Sequence, residues 1–239
     1  MTALPAPRDD APPALRRIAA LAPLTQAAKA ALADAIGRAL RVPARRELLT
    51  EGKPITEMRM IVSGWAARAR ILPDGQRQFM SFLFPGDLIG YCRQPAPLAV
   101  STVVALTDLT VCTPPAEGDH PSLCTAYTIS AAIEEAYLLA NITRLGRMSA
   151  QERIYDLFLE FHERLALAGL AVGGAFELPL TQEMLGDALG LTSVHVNRMI
   201  QAARRDGDIE WRGGHLKLRH PRELARRLGR HPTRISAEQ

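Results

Sequence analysis

Gly190 stands between two short stretches of helical period, and this leaves residues 180–218 few ways to fold. Thr181 is a candidate N-cap, with Gln182 and Glu183 in the first turn after it. Met184, Leu185, Ala188 and Leu189 then share one apolar face. A glycine next is free to take the left-handed backbone that ends a helix and turns the chain. Thr192 or Ser193 can cap the second helix, where Val196, Met199, Ile200 and Ala203 repeat the apolar stripe. Two helices across such a turn form a helix-turn-helix. Its second member is free to enter a DNA major groove by its N-terminal end.

With Val196, Met199 and Ile200 turned inward, Ser193, Val194, Asn197 and Arg198 remain on the outer face of that second helix. Arginine carries a two-pronged donor matched to guanine O6 and N7, and asparagine can pair with adenine N6 and N7. Valine can pack on a thymine methyl. An ordinary amphipathic hairpin with a solvated polar face would show the same pattern, so the helix pair alone does not decide the matter. The residues behind it do. Ile209-Glu210-Trp211, Arg212-Gly213-Gly214 and His215-Leu216-Lys217-Leu218 spell two short alternating strands around a glycine turn. A hairpin directly behind a candidate recognition helix is the wing of a winged helix. Gln182, Thr192, Gln201, Arg204, Arg205, Arg212 and Lys217 are the candidate phosphate contacts, which supply affinity and register but no sequence information.

At 239 residues the chain has room for two modest domains. Its formal charge of +4 permits contact with nucleic acid without demanding it. Met1 to Pro13 is rich in proline and alanine and lacks the basic-then-apolar order of a signal peptide. No apolar run is long enough for a bilayer, so a cytoplasmic location without a membrane partner is expected. Cys92, Cys112 and Cys124 are odd in number and without a close pair, which argues against a disulfide framework or a zinc site. They read as small buried apolar residues, with Cys92, beside Arg93, the candidate for redox chemistry. The scattered histidines offer no metal-ligand spacing. Asp87, Glu134, Glu135 and Glu152 lack a neighbouring nucleophile or phosphate loop, so no catalytic constellation assembles and no enzyme is expected.

The front half has a different texture. Leu24-Thr25 opens a helix carrying Ala28, Ala31, Leu32 and Ile36 at helical spacing. From Val42 onward short strands alternate with turns: Met58–Val62, Trp65–Leu72, Gln76–Phe84, Ser101–Leu106 and Leu109–Thr113, broken at Ser63-Gly64, Pro73-Asp74-Gly75 and Pro85-Gly86-Asp87. That punctuation indicates a small antiparallel barrel or roll.

Tyr127 to Met148 contains no proline and keeps Ile129, Ile133, Ala136, Tyr137 and Ala140 on one side. Such a face can pack on the roll, or it can form the seam of a parallel helix dimer. The second reading gains weight because helix-turn-helix proteins bind two-fold sites as pairs. Gln151 to Leu167 then opens the C-terminal domain with Ile154, Leu157, Phe158 and Phe161 turned to its core.

Taken in order, these segments resemble the Crp/Fnr family of bacterial transcription regulators. The resemblance rests on Ile61-Val62-Ser63-Gly64, Asp74-Gly75 and Phe84-Pro85-Gly86-Asp87-Leu88-Ile89-Gly90 in the roll. It continues through Leu145-Gly146-Arg147 and Ala150-Gln151-Glu152-Arg153. It closes on Thr181-Gln182-Glu183, Leu189-Gly190-Leu191-Thr192 and Val196-Asn197-Arg198. The resemblance implies an α+β chain with a jelly-roll-like N-terminal antiparallel β-roll, a long dimerisation helix and a C-terminal winged helix-turn-helix. The expected divisions are a flexible tail at 1–23, a cyclic-nucleotide-binding-like roll at 24–122, the dimerisation helix at 123–148, the winged domain at 149–224 and a basic tail at 225–239.

Within that family, members that bind cyclic AMP carry a glutamate just after the Gly-Asp segment and an arginine further on. Here those positions are Tyr91 and either Val100 or Ser101. A cyclic phosphate would meet desolvation without a fixed cation to offset it, so no cyclic AMP response of the usual kind is expected. No cysteine precedes Cys92, which is at odds with an iron–sulfur cluster, and no histidine lies near Cys92 to suit haem. The expected cofactor set is empty. Gly86, Asp87, Tyr91, Arg93, Ser101 and Thr102 are the candidate effector-pocket residues. The expected partners are double-stranded DNA with an inverted repeat, a second copy of the chain and, at a promoter, RNA polymerase. The competing reading is a ligand-binding regulatory module whose helix-turn-helix serves protein contacts.

Overall fold

The computed structural model describes residues 11–231 and 233. The chain enters through two helices, α1 (Pro13–Leu21) and α2 (Gln26–Gly37). α1 starts with proline at its first turn, where the missing N–H costs nothing, and buries Ala14, Arg17, Ile18 and Leu21. Residues 13–21 are therefore a packed helix, which corrects the expectation of a flexible tail across 1–23; positions 1–10 lie outside the described residues. Thr25 caps α2 by accepting from the Ala28 N–H.

Eight short strands come next: β1 (Leu40–Val42), β2 (Glu47–Leu49), β3 (Arg59–Ser63), β4 (Ala66–Ile71), β5 (Arg77–Leu83), β6 (Leu88–Ile89), β7 (Thr102–Ala105) and β8 (Leu109–Cys112). They form two antiparallel sheets ordered β1-β8-β3-β6 and β2-β7-β4-β5. The β4–β5 hairpin turns at Pro73-Asp74-Gly75, where the Asp74 carboxylate accepts from the Gln76 N–H at 2.9 Å. Inward residues of both sheets meet in a small core of Ile61, Leu83, Ile89, Val103, Leu109 and Val111.

Helix α3 (Pro121–Arg147) leaves the roll and is followed without a spacer domain by α4 (Ala150–Leu167). Ser149 and Glu152 form a reciprocal capping box at that junction. α3 does not present the expected seam. Ile133 is 8% and Tyr137 5% exposed, packed with Leu21 of α1, and Ile129 joins them. The face left uncovered carries Leu139 and Ile142, at 58% and 68% exposure. α3 carries two apolar stripes, and the one assigned to a partner from the sequence belongs largely to the protomer's own core.

The C-terminal region comprises β9 (Ala171–Val172), β10 (Ala175–Glu177), α5 (Gln182–Leu189), α6 (Ser193–Arg205), β11 (Ile209–Arg212), β12 (His215–Leu218) and α7 (Pro221–Arg227). Its antiparallel sheet runs β11-β12-β10-β9. Positions 225–230 extend a packed element, since α7 continues to Arg227 and the Arg230 guanidinium is inserted between Asp156 and Glu163. This corrects the expectation of a tail from 225; positions 232 and 234–239 lie outside the described residues. Besides the roll's own core, the two domains share an apolar cluster. Trp65 and Phe84 of the roll pack edge-on at 4.6 Å, and Phe161 of α4 lies 5.1 Å from Trp65 and 4.8 Å from Phe82. One apolar cluster runs from these rings to Leu224.

Candidate nucleic-acid interface and cavity

α5 and α6 are set by three local devices. Thr181 accepts from the Met184 N–H, and Thr192, rather than Ser193, caps α6 by accepting from the His195 N–H. Gly190 ends α5 at φ 63°. Gly186 brings the turn close, since a Cβ there would stand 2.4 Å from the Leu191 carbonyl. Val196, Ile200 and Ala203 are buried, which fixes the roll angle of α6.

That angle leaves Ser193, Val194, Asn197 and Arg198 exposed together over the first two turns, with Val194 78% exposed. The Gln182 amide donates to Asn197 Oδ1 at 3.3 Å, tying the start of α5 to the exposed face of α6. Gln182, Gln201, Arg204 and Arg212 border one concavity of about 300 Å³ between α6 and the wing. Arg205 lines the next one beside Arg204. Lys217 is half-buried and lies opposite Glu210 in the β11–β12 ladder. Arg219 is ion-paired to Glu210. An exposed hydrogen-bonding helix end framed by cations matches the way a winged helix meets a duplex, with bases on the helix and phosphates at its edges.

Two family models match this chain: a cyclic nucleotide-binding domain over residues 39–118 and a Crp-like helix-turn-helix domain over residues 152–227. The transcriptional activator protein FnrL of Cereibacter sphaeroides is 30% identical over 185 residues, covering 71% of each chain. The chain belongs to the Crp/Fnr family. The nitrogen fixation regulation protein FixK of Bradyrhizobium diazoefficiens is 27% identical over 193 residues, covering 78% of this chain and 80% of its own. The solved structure of FixK2 from Bradyrhizobium japonicum superposes with a TM-score of 0.67 at 26% identity, over 79% of this chain and 95% of that one. Crp/Fnr proteins of this kind are transcription regulators rather than enzymes.

A cavity of about 410 Å³ lies between the cyclic nucleotide-binding-like roll and α3. Of the six residues expected there, Asp87, Tyr91 and Ser101 line it, whereas Gly86, Arg93 and Thr102 do not. Gly86 packs beneath Arg17, the Thr102 hydroxyl accepts from the Glu51 N–H, and Arg93 reaches outward to Glu117, Cys124 and Thr128. Arg93 therefore points its charge away from the cavity. Asp87 is occupied as well. Its Oδ1 holds Arg17 at 2.6 Å, and its Oδ2 accepts from the Phe84 N–H at 2.7 Å and from Arg164 at 2.9 Å.

Sequence reasoning missed this buried ionic chain. From Arg164 it continues through Glu160 to Arg144, which also grips Asp156 at 2.7 Å. Burial pulls the Arg17 pKa down, with Asp87 opposing that shift. Arg164 is equally buried, but Asp87 and Glu160 more than offset the desolvation and raise its pKa. The sequence did carry a sign of it, because Asp156, Glu160 and Arg164 recur every four residues on one face of α4.

Proposed function

We propose that this chain is a cytoplasmic homodimer that binds an inverted-repeat DNA site sequence-specifically to regulate transcription. The observation that carries the reading is the joint exposure of Ser193, Val194, Asn197 and Arg198 at the N-terminal end of α6, flanked by Arg204 and Arg212. Arg198 reads guanine, Asn197 reads adenine and Val194 meets a thymine methyl, with half-site centres about one helical turn, or about 10 bp, apart. The open apolar stripe of α3, Leu139 and Ile142, supports pairing of two copies. No helix among the described residues is long and apolar enough to cross a membrane.

Tyr91 and Val100 or Ser101 stand where a cyclic AMP response needs a glutamate and an arginine, so the regulator works without that ligand, iron–sulfur cluster or haem. Bound near a promoter, it meets RNA polymerase. The test is selection of genomic fragments by the purified full-length protein without added ligand, with Arg198→Ala run alongside. One inverted repeat enriched by the wild type alone is expected. Enrichment of nothing, in buffer and in cell extract alike, would favour a helix-turn-helix that serves protein contacts.

A further inference from the structure

The cavity under α3 is charged in an unusual way: every fixed cation at its wall is already matched. The Arg68 guanidinium forks onto Glu134 of α3, with Nε on Oε1 and Nη2 on Oε2 at 3.0 Å. Deeper in, Asp87 is held by Arg17 and Arg164. The remaining carboxylate at the wall, Glu135, is exposed. A phosphate or carboxylate entering here would have to displace Glu134 from Arg68 in a half-buried setting, leaving one buried charge without its partner.

The polar atoms that remain point to a different ligand. Ser101 Oγ accepts from Arg68 Nη1 at 3.4 Å, and Ser130 Oγ accepts from Arg17 Nη1 at 3.2 Å. A hydroxyl that accepts from a guanidinium keeps its own proton to give. Both serines are buried and both line the cavity, so the pocket offers two hydroxyl donors and no free cation among the described residues. The rest of the wall is mostly apolar, with Leu49, Ile55, Met80, Leu88, Leu98 and Leu138 the larger contributors. A volume of about 410 Å³ suits a small organic molecule.

We propose that this cavity binds a neutral, mainly apolar small molecule bearing a carbonyl-type acceptor oxygen, received by Ser101 and Ser130, and that it rejects anions. The proposal rests on reading the chain as a regulator with a sensing domain. It does not depend on which DNA sequence is bound.

The probe is Prodan, a neutral naphthyl ketone whose emission shifts blue in apolar surroundings, titrated into the full-length protein. Anilinonaphthalene sulfonate, an anion of similar size, and cyclic AMP are the comparisons. Saturable uptake of one Prodan per protomer is expected, at least tenfold tighter than the sulfonate and not displaced by cyclic AMP. Ser101→Ala weakens it about fivefold, the loss of one hydrogen bond. Ala131→Phe, at an exposed wall position, abolishes it. Glu134→Gln frees the Arg68 charge and raises sulfonate affinity at least tenfold.

Prodan uptake unmoved by both Ser101→Ala and Ala131→Phe would locate it elsewhere and overturn the proposal. So would preference of the wild type for the sulfonate or cyclic AMP, or no uptake at all. If Glu134→Gln does not fold, the two other variants carry the decision. The DNA selection is scored separately. Prodan binding as described with no enriched site would fault the DNA reading alone, and an enriched site without Prodan binding would fault the cavity alone.

Discussion

Arg164 of α4 and Asp87 of the roll meet at 2.9 Å, both almost wholly buried, so the winged domain is bonded to the sensing domain through its first helix. Asp87 serves Arg17 and Arg164 at once. Replacing it by asparagine keeps the shape but leaves two buried guanidinium groups short of a counter-charge. Breaking a buried pair from one side costs about 3–5 kcal/mol. Urea unfolding of Asp87→Asn is expected to show a loss of that order. A loss under about 1 kcal/mol would mean that the ionic chain contributes specificity without stability.

Arg198→Ala is expected to level discrimination at one base pair of each half-site, by about 1–3 kcal/mol per bidentate contact. Competition binding against all single-base variants of the selected site measures it. An unchanged preference at every position would show that α6 enters the groove in another orientation.

Phosphate contacts behave differently. Arg212→Ala is expected to weaken binding to all sequences equally and to lower the slope of log affinity against log salt by about 1. Lys217→Ala, at a half-buried position, is expected to change the slope less. Equal slopes for the two variants would show that Lys217 meets phosphate as fully as exposed Arg212.

Ile142→Glu places a charge on the uncovered stripe of α3, where it is solvated in a single copy and would be buried in the proposed pair. Sedimentation is expected to show dissociation with little change in protomer stability. Tyr137→Ala is expected to do the reverse and destabilise by about 3–5 kcal/mol, as truncation of a buried aromatic does. Dissociation by Tyr137→Ala without that loss would return the seam to the face first read from the sequence.

Burial pushes the Cys112 thiol up to about 11, from an ordinary value of 9.0. The native state then keeps that proton to higher pH than the unfolded chain. The stability it brings is complete below about pH 9 and is lost as pH rises through about 11. Thiol titration with a disulfide reagent at pH 8 is expected to reach exposed Cys92 quickly and Cys112 only after denaturation. Rapid reaction of Cys112 in the native protein would contradict its burial.

How much of the molecule is legible in the sequence depends on how local each cause is. The turn at Gly190, the caps at Thr181 and Thr192 and the period of α6 act within a few residues, and from them the two helices and the exposed face of α6 were legible. The strands from β3 to β5 were readable for the same reason, since Gly and Pro punctuate them. Helix α1 was written at Ala14, Ile18 and Leu21, a spacing of four and three, but the surrounding prolines and alanines obscured it. The two faces of α3 could not be told apart by period, because both are apolar. The occupancy of Asp87 was beyond local reading, since Arg17 and Arg164 reach it from 70 residues before and 77 after in the chain.

The rings of Trp65, Phe84 and Phe161 give the chain a mechanical property of their own. Because the roll and the winged domain share those three side chains, loosening one half is expected to weaken the other, and heat is expected to take both in one cooperative step. A fragment cut before α4 would carry Phe161 into water, and a chimera that exchanges the roll must supply aromatic sockets in the same places. The two halves are exchangeable parts in outline only, and at this junction they have to be inherited together.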